Sequence, residues 1–545
     1  MKNMIFLLVL IVFFCLSAVP VTYAQTLSDI NTGQLYWAEP DLIEITVPEE
    51  SYGLFEEPDV IHAEYRPAEL EAKTSFPEYY DAREHGLITP VKDQKPYDLC
   101  WAESMTGTAE ADLIKKGLAD PTIDLSEVFP HYFQWHRSPD PLGLTSGDLN
   151  IWHAYESYPG YTREWINSWS SGYRAVLLLS GQTGVIPESE APYPDADADI
   201  PNYYLDPALA WNADIAHLDH GMWISTNDTE AMKRMIMKHG SIVIAFNQNR
   251  AKYLNEMTGA YYCPEPAYTN HLVSVIGWDN NYDPSNFIAD PGQGGAWLVK
   301  NSFGTDWGNG GYFWLSYADK TLSEDAFVFD FEPVDPSVRT YQYDGTVSYS
   351  YLNDPNSRTF TSANVFTAQD NETLTAVGFT TPSSYFDYDI KIYRGVKDTP
   401  ESGMVFAHQS GSKLYAGFYT IGLDTPVKLS AGDRFSVVVE ITSNTDSSAY
   451  MLTDRYVSYS VKTADGETVD FQILDSESNP GESWYKTAYG QWIDCWNADP
   501  KVSLGNIRIK AFTVFNSYAS GKNPEDTAET YDDAEHGVTL YRTGW

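Results

Sequence analysis

The sequence predicts an α+β chain in two parts: a two-lobed unit with a helical half and a β-rich half, then an all-β sandwich. Three observations carry this. Ala102, Met105, Ala109 and Leu113 recur at spacings of three and four, which marks one face of a helix. Residues 241–246, 272–278 and 296–299 are short, nearly unbroken apolar runs of strand length. From about 341 to 514, short runs rich in Val, Ile, Thr, Tyr and Phe, such as 362–367, 374–380, 434–442 and 506–514, alternate with Gly, Asp, Asn and Ser clusters. At 545 residues the chain also exceeds what one core usually serves.

Taken in order, residues 1–24 open with Lys2, continue through an apolar run at 5–16 and end in Thr22-Tyr-Ala24. That is the pattern of a secretory signal peptide cut between Ala24 and Gln25, and it predicts a secreted, extracellular protein. Residues 25–74 are acidic and carry Pro40, Pro48, Pro58 and Pro67. They read as a strap packed on the next unit, with a removable propeptide as the other reading. The two-lobed unit is expected over 75–333, the sandwich over 341–514 and an acidic tail over 515–545. A net charge of −42 excludes nucleic acid as a partner and disfavours anionic membrane surfaces. No closing apolar stretch could span a bilayer, so no transmembrane segment is expected in the mature chain. Of four cysteines, Cys15 lies in the leader, and three cannot build a disulfide framework.

The chemistry starts at Cys100, placed where the helix pattern begins. Lys115 and Lys116 complement the negative end of that helix and Gly117 supplies a stop. Unpaired N–H groups at a helix N-terminus stabilise an anion, which predicts a lowered thiol pKa for Cys100. Gln94, six residues earlier, offers an uncharged amide donor. A thiolate with an amide donor beside it is the first half of an acyl-transfer site. Downstream, His271 opens the apolar run 272–278, and Asn301 sits in Val-Lys-Asn301-Ser-Phe303-Gly-Thr-Asp-Trp307-Gly-Asn-Gly-Gly311-Tyr312.

The stretch Gln94-Lys-Pro-Tyr97-Asp-Leu-Cys100-Trp101-Ala-Glu103-Ser104 resembles the active-site segment of papain-like (C1 family) cysteine proteases, matching at Gln94, Cys100, Trp101, Ala102 and Ser104. It departs at Lys95, Tyr97, Asp98 and Glu103, and Tyr97 stands where the family has a disulfide-bonded cysteine. The 296–312 block resembles the family's Asn-Ser-Trp block with Phe303 for its first tryptophan, and Cys, His, Asn is the family's chain order. Ser75 to Arg83 resembles its mature start and Leu125-Ser-Glu127 its entry into a second helix. The resemblance implies a cysteine endopeptidase with Cys100 as nucleophile, His271 as acid–base, Asn301 orienting the imidazole and Gln94 binding the oxyanion. It also makes Gly172, Leu272 and Trp307 substrate-binding candidates and polypeptides the substrate, without cofactor or metal. The loop Asp279-Asn-Asn281-Tyr-Asp283 has alternating oxygen side chains but lacks the glycine and closing glutamate of a calcium loop. The C-terminal part resembles the lectin-like domain of certain secreted prokaryotic cysteine proteases. A glycan or cell-surface ligand is therefore a candidate partner, with Trp484, Trp492 and Trp496 read equally as stacking residues or as core residues. The alternative is an inactive papain-fold scaffold or adhesin presenting that domain.

Overall fold

Residues 100–116 do form the expected helix, Cys100–Lys115, with Lys116 as its cap and Gly117 in the left-handed region at φ 71°. Ala102, Met105, Ala109 and Leu113 are buried, but so are Glu103, Thr106, Thr108, Glu110 and Asp112 on the other faces. The helix is thus interior rather than amphipathic. The computed structural model describes residues 75–136, 140–148, 165–167, 170–212, 215–248, 251–445, 447–455, 457–462, 468–474, 476–498, 503–515, 531–533 and 538–540. The signal peptide, the 25–74 strap and most of the acidic tail lie outside the described residues.

Other helices follow from their caps. Val128–Trp135 begins right after the Leu125-Ser-Glu127 turn. Gly172–Ser180 is capped by the Ser171 hydroxyl, and Thr229–His239 by the Asp228 carboxylate, which accepts from Ala231 N–H at 2.9 Å. The expected strands appear as Ile242–Phe246, His271–Asp279 and Ala296–Lys300. They are central in one long sheet and packed on both sides, which is why their sequences lack alternation.

That sheet has thirteen strands and runs through both halves of the chain. From one edge the order is Val338–Tyr341, Ile509–Phe515, Glu372–Thr381, Ala416–Leu429, Ala216–Ser225, Asp325–Pro333, Ile242–Phe246, His271–Asp279, Ala296–Lys300, Tyr312–Ser316, Ala260–Tyr261 and Leu254–Asn255. Tyr79–Asp81 pairs separately with the far end of His271–Asp279. A second, six-stranded sheet, Met404–Lys413, Phe386–Arg394, Arg434–Ser443, Thr359–Thr367, Ser483–Lys486 and Trp492–Asp494, completes the β sandwich. Phe366, Ile390, Phe435 and Val439 from it share a buried cluster with Leu374, Val377 and Ile509 of the long sheet.

The composition change at 334–340 suggests two separate cores, and here the structure differs. Ala416, Gly417, Phe418 and Tyr419 pair antiparallel with Trp223, Met222, Gly221 and His220, joining the C-terminal part to the β-rich lobe. Phe418, Leu452 and Phe512 belong to the same buried cluster as Trp101 and Phe129. Long-range strand pairing of this kind leaves no local mark in composition. The seam also requires backbone contact: a Cβ on Gly417 would lie 2.3 Å from the Gly221 carbonyl oxygen. Phe418→Ala is expected to cost about 3–5 kcal/mol of unfolding free energy, and to accelerate amide exchange in Ala216–Ser225. Unchanged exchange in that strand would mean the two halves stand independently.

Candidate active site

The Cys100 helix is fixed by polar side chains that have nowhere else to go. Trp101 Nε1 donates to His131 Nδ1 at 2.8 Å, and His131 Nε2 faces the Trp165 carbonyl at 3.1 Å. The histidine is therefore the Nε2–H tautomer, and burial takes its pKa down to about 3. Ser274 on the His271 strand donates to the Ser104 carbonyl at 3.1 Å. This ties the strand to the first turn of the helix. At the helix start, Cys100 is buried in the same cluster as Leu272, the first residue after His271.

His271 Nε2 donates to Asn301 Oδ1 at 2.8 Å, and the same oxygen accepts from Ser302 N–H at 2.8 Å. Two donors on one atom fix which end of the Asn301 amide faces the ring. The pair is covered by Phe303, stacked on His271 at 4.7 Å and 15°. Trp307 meets Phe303 edge-on at 5.8 Å and Phe313 at 5.4 Å. Trp307 accordingly stands behind Phe303 as a packing layer. His271 and Asn301 are buried, which shields their hydrogen bond from water.

Gln94 joins them through the Asn301 loop. Its N–H donates to the Ser302 carbonyl at 2.8 Å, and its Oε1 accepts from Ser302 Oγ at 2.6 Å. With the amide oxygen taken, the NH2 end is left to donate, and Nε2 lies 3.3 Å from the Tyr97 carbonyl. Leu272 is buried beside Cys100 and pairs with Ala245. Gly172 is placed differently from the expectation of a groove residue. It is buried at a helix start, where a Cβ would come within 2.1 Å of the Phe327 ring. Packing against Phe327 accounts for the glycine.

Behind the site lies a small chamber lined by Lys92, Glu103, Ser104, Glu110, Glu127, Ser274, Lys300 and Asn301. Lys92 Nζ reaches Glu127 at 2.6 Å, Asp124 at 2.6 Å and Glu110 at 3.4 Å, while Lys300 Nζ donates to Thr89 Oγ1 at 3.1 Å. Burial opposes the charge on Lys92, but Glu110, Glu127 and Asp124 outweigh it and hold the ammonium on. Burial lowers the Lys300 pKa despite Glu110. Three glutamates share two lysines. Burial, reinforced by Glu127, holds Glu103 well above the usual carboxylate range. These charges come from the Cys100–Lys115 helix, the Ala296–Lys300 strand and the loops at Lys92 and Glu127, so no local pattern joins them all.

The chamber bears on the thiol. Burial pushes Cys100 up to about 11; the Leu272 and Trp101 N–H groups pull it down, and Asp98 and Glu103 add to the rise. Burial also takes His271 down to about 4, against the Asn301 hydrogen bond. Burial thus acts against the helix N-terminus at the sulfur, opposite in direction to the lowering expected from the sequence. Cys263 and Cys495 are buried, the Cys263 thiol donates to the Glu265 carbonyl at 3.3 Å, and burial raises the Cys495 thiol pKa.

Other oxygen clusters are already occupied. Asp279 and Asp283 cap the backbone N–H of Asn281 and Ser285 at 2.8 Å each. Among the described residues, Asp112, His239 and Asp330 present ligand atoms within 4.8 Å of one another. The Lys116 ammonium sits among them, 3.1 Å from Asp112 and bonded to Asp330, and supplies the cation itself. Of the three tryptophans, Trp484 and Trp492 pack against Ala363, Val365 and Val438, and only Trp496 is exposed.

Known proteins share this architecture. The family model described as papain family cysteine protease matches residues 170–327, which include His271 and Asn301, and the one described as lectin like domain matches 340–513. A cathepsin L-like peptidase of Aedes aegypti is 27% identical over 248 residues, 45% of this chain and 59% of that protein. Cathepsin L of Sarcophaga peregrina is 26% identical over 243 residues. The chain spans 59% of the length of each of these two relatives. The cysteine protease and lectin-like domains of Cwp84, a surface layer associated protein of Clostridium difficile, superpose with TM-score 0.64 at 26% identity, over 81% of this chain and 89% of that one. Clostridial Cwp84 after propeptide cleavage gives the same score over 80% and 99%. The fold is that of a thiol peptidase with an appended β domain. More particularly, the chain combines a papain-family C1 domain with a lectin-like domain.

A neutral alkylating reagent should report the resting thiol. With the thiol near 11, labelling of Cys100 is expected to rise about tenfold per pH unit between pH 6 and 9. Glu103→Gln should move the curve to lower pH, increasingly so where Glu103 ionises, because a negative charge near the sulfur is removed. A rate that is flat from pH 5 to 8 would instead indicate a resting thiolate–imidazolium pair.

Proposed function

We propose that the chain is a secreted cysteine endopeptidase that hydrolyses peptide bonds through a thioester. The observation that carries this reading is the convergence of distant segments: His271 is bonded to Asn301, Gln94 to the adjoining Ser302, and Leu272, next to His271, is buried in one cluster with Cys100. His271 takes the Cys100 proton as the sulfur attacks the substrate carbonyl, then gives it to the leaving amine. Water, deprotonated by His271, releases the acyl group. Asn301 keeps the Nε2–H tautomer, so that Nδ1 is the basic nitrogen. Gln94 Nε2 and the Cys100 N–H stabilise the oxyanion. Leu272 is the wall of an apolar subsite, and Phe303 with Trp307 keeps the acid–base pair dry.

Expected outcomes follow on a denatured-protein substrate. Cys100→Ala should fall to background, Gln94→Ala should lose about 10²–10³-fold in kcat, and Asn301→Ala should lose less than Cys100→Ala because Phe303 still holds the ring. Equal hydrolysis by Cys100→Ala and the parent would replace this reading with the scaffold or adhesin alternative. Export is supported by the 1–24 pattern and by the surface layer association stated for Cwp84. It predicts a mature N-terminus at Gln25 or beyond in protein recovered from the medium, and an intact Met1 there would refute it. A glycan ligand of the lectin-like domain is supported by its family description and the exposed Trp496. A glycan array that loses its signal in Trp496→Ala is the expected result, and no signal from the parent would leave the domain structural.

A further inference from the structure

The candidate oxyanion donor sits on a short loop that lacks the covalent tie expected of its relatives. Tyr97 occupies that position, and the ties present are phenolic. Tyr97 Oη donates to the Asp195 carbonyl at 2.8 Å, and Tyr193 Oη donates to the carbonyl of Gln94 itself. The two rings lean together at 6.0 Å. Gln94 O also accepts from Tyr97 N–H at 2.9 Å, so the carbonyl closes the turn and takes the phenol at once.

The segment that brings Tyr193 is itself anchored. Glu188 N–H donates to Asp124 O at 2.9 Å, Ser126 Oγ donates to Ala191 O at 2.6 Å, and Tyr193 N–H meets Glu188 Oε1 at 2.5 Å. These contacts lead back to the start of the Val128–Trp135 helix, a rigid support. Tyr193 thus connects the Gln94 loop to the helical lobe, while Ser302 connects it to the β-rich lobe. Burial and the nearby Glu103 and Glu127 raise the Tyr193 phenol, so it stays a donor across the neutral range.

We propose that Tyr193 is a positioning residue for the Gln94 oxyanion donor, with Tyr97 as the second tie, the pair replacing a disulfide by two hydrogen bonds. The inference rests on the peptidase reading above. A carbonyl that loses the phenol keeps only its turn bond, and the loop can then rock about Ser302. The Gln94 NH2 shifts relative to the sulfur, and stabilisation that depends on placement is lost.

The test uses the full chain and Tyr193→Phe, which keeps the ring and removes the donor. On a small peptide substrate kcat is expected to fall about 10- to 100-fold with KM within about twofold. Affinity for a peptide aldehyde, whose hemithioacetal needs the oxyanion donor, should fall in parallel. Alkylation of Cys100 by iodoacetamide, which makes no oxyanion, should be unchanged, so general loosening is separated from loss of placement. In a Gln94→Ala background, Tyr193→Phe should cost less than twofold, since the group it positions is gone. If Tyr193→Phe does not fold, Tyr97→Phe carries the same four measurements with the same expected directions. An active parent with unaffected Tyr193→Phe, or an equal loss in the Gln94→Ala background, overturns this inference alone. A parent with no hydrolysis overturns it together with the peptidase reading.

Discussion

A helix buried on nearly every side has to satisfy its polar side chains from its neighbours, and that constraint organises this molecule. Glu110 takes the Thr89 hydroxyl and, at 2.9 Å, the Leu125 N–H. Asp112 takes His239 at 2.7 Å and the Phe331 N–H at 2.8 Å. Thr106 reaches Glu127 at 2.9 Å, and Thr108 lies 3.2 Å from Ser241. These partners come from segments far apart in the chain. Leaving any of them unmade would strand a buried polar group, at about 1–3 kcal/mol. The helix that presents Cys100 is therefore held at many points, and the sulfur inherits that rigidity.

The same burial shapes the electrostatics. A thiol and an imidazole taken out of water both prefer their neutral forms, and the surplus glutamate in the chamber adds to the preference on the sulfur side. Burial thus makes charge separation between the two groups costly. Groups that meet developing charge without moving contribute most under those conditions. This gives weight to the hydrogen bonds that hold Gln94, Ser302 and Asn301 in one connected strip.

What could be read from the sequence was whatever is written locally. The spacing of Ala102, Met105, Ala109 and Leu113 and the apolar runs 241–246 and 272–278 describe short-range geometry, and the elements appear within a residue or two. Cys100, His271, Asn301 and Gln94 each stand out in a local motif, and hydrogen bonds join His271 to Asn301 and Gln94 to the adjoining Ser302. The misplaced expectations all depended on distant partners. Gly172 answers to Phe327, more than 150 positions away, and the thiol pKa answers to burial and to Glu103, whose environment is set by Glu127 and Lys92. Trp484 and Trp492 meet Ala363, Val365 and Val438 from neighbouring strands of their own sheet, partners equally distant in sequence.

The seam between Ala216–Ser225 and Ala416–Tyr419 sets an order of events during synthesis. Ribosomes deliver the Cys100, His271 and Asn301 segments well before residue 416. Until that residue arrives, the Ala216–Ser225 strand is paired with Asp325–Pro333, and its residues 220–223 present an unpaired edge on the other side. An open edge of this kind is a template for pairing with other chains. Arrival of the late strand closes it from within the same molecule. The appended domain therefore acts as the chain's own edge protector, and cutting the gene at the domain boundary would remove it.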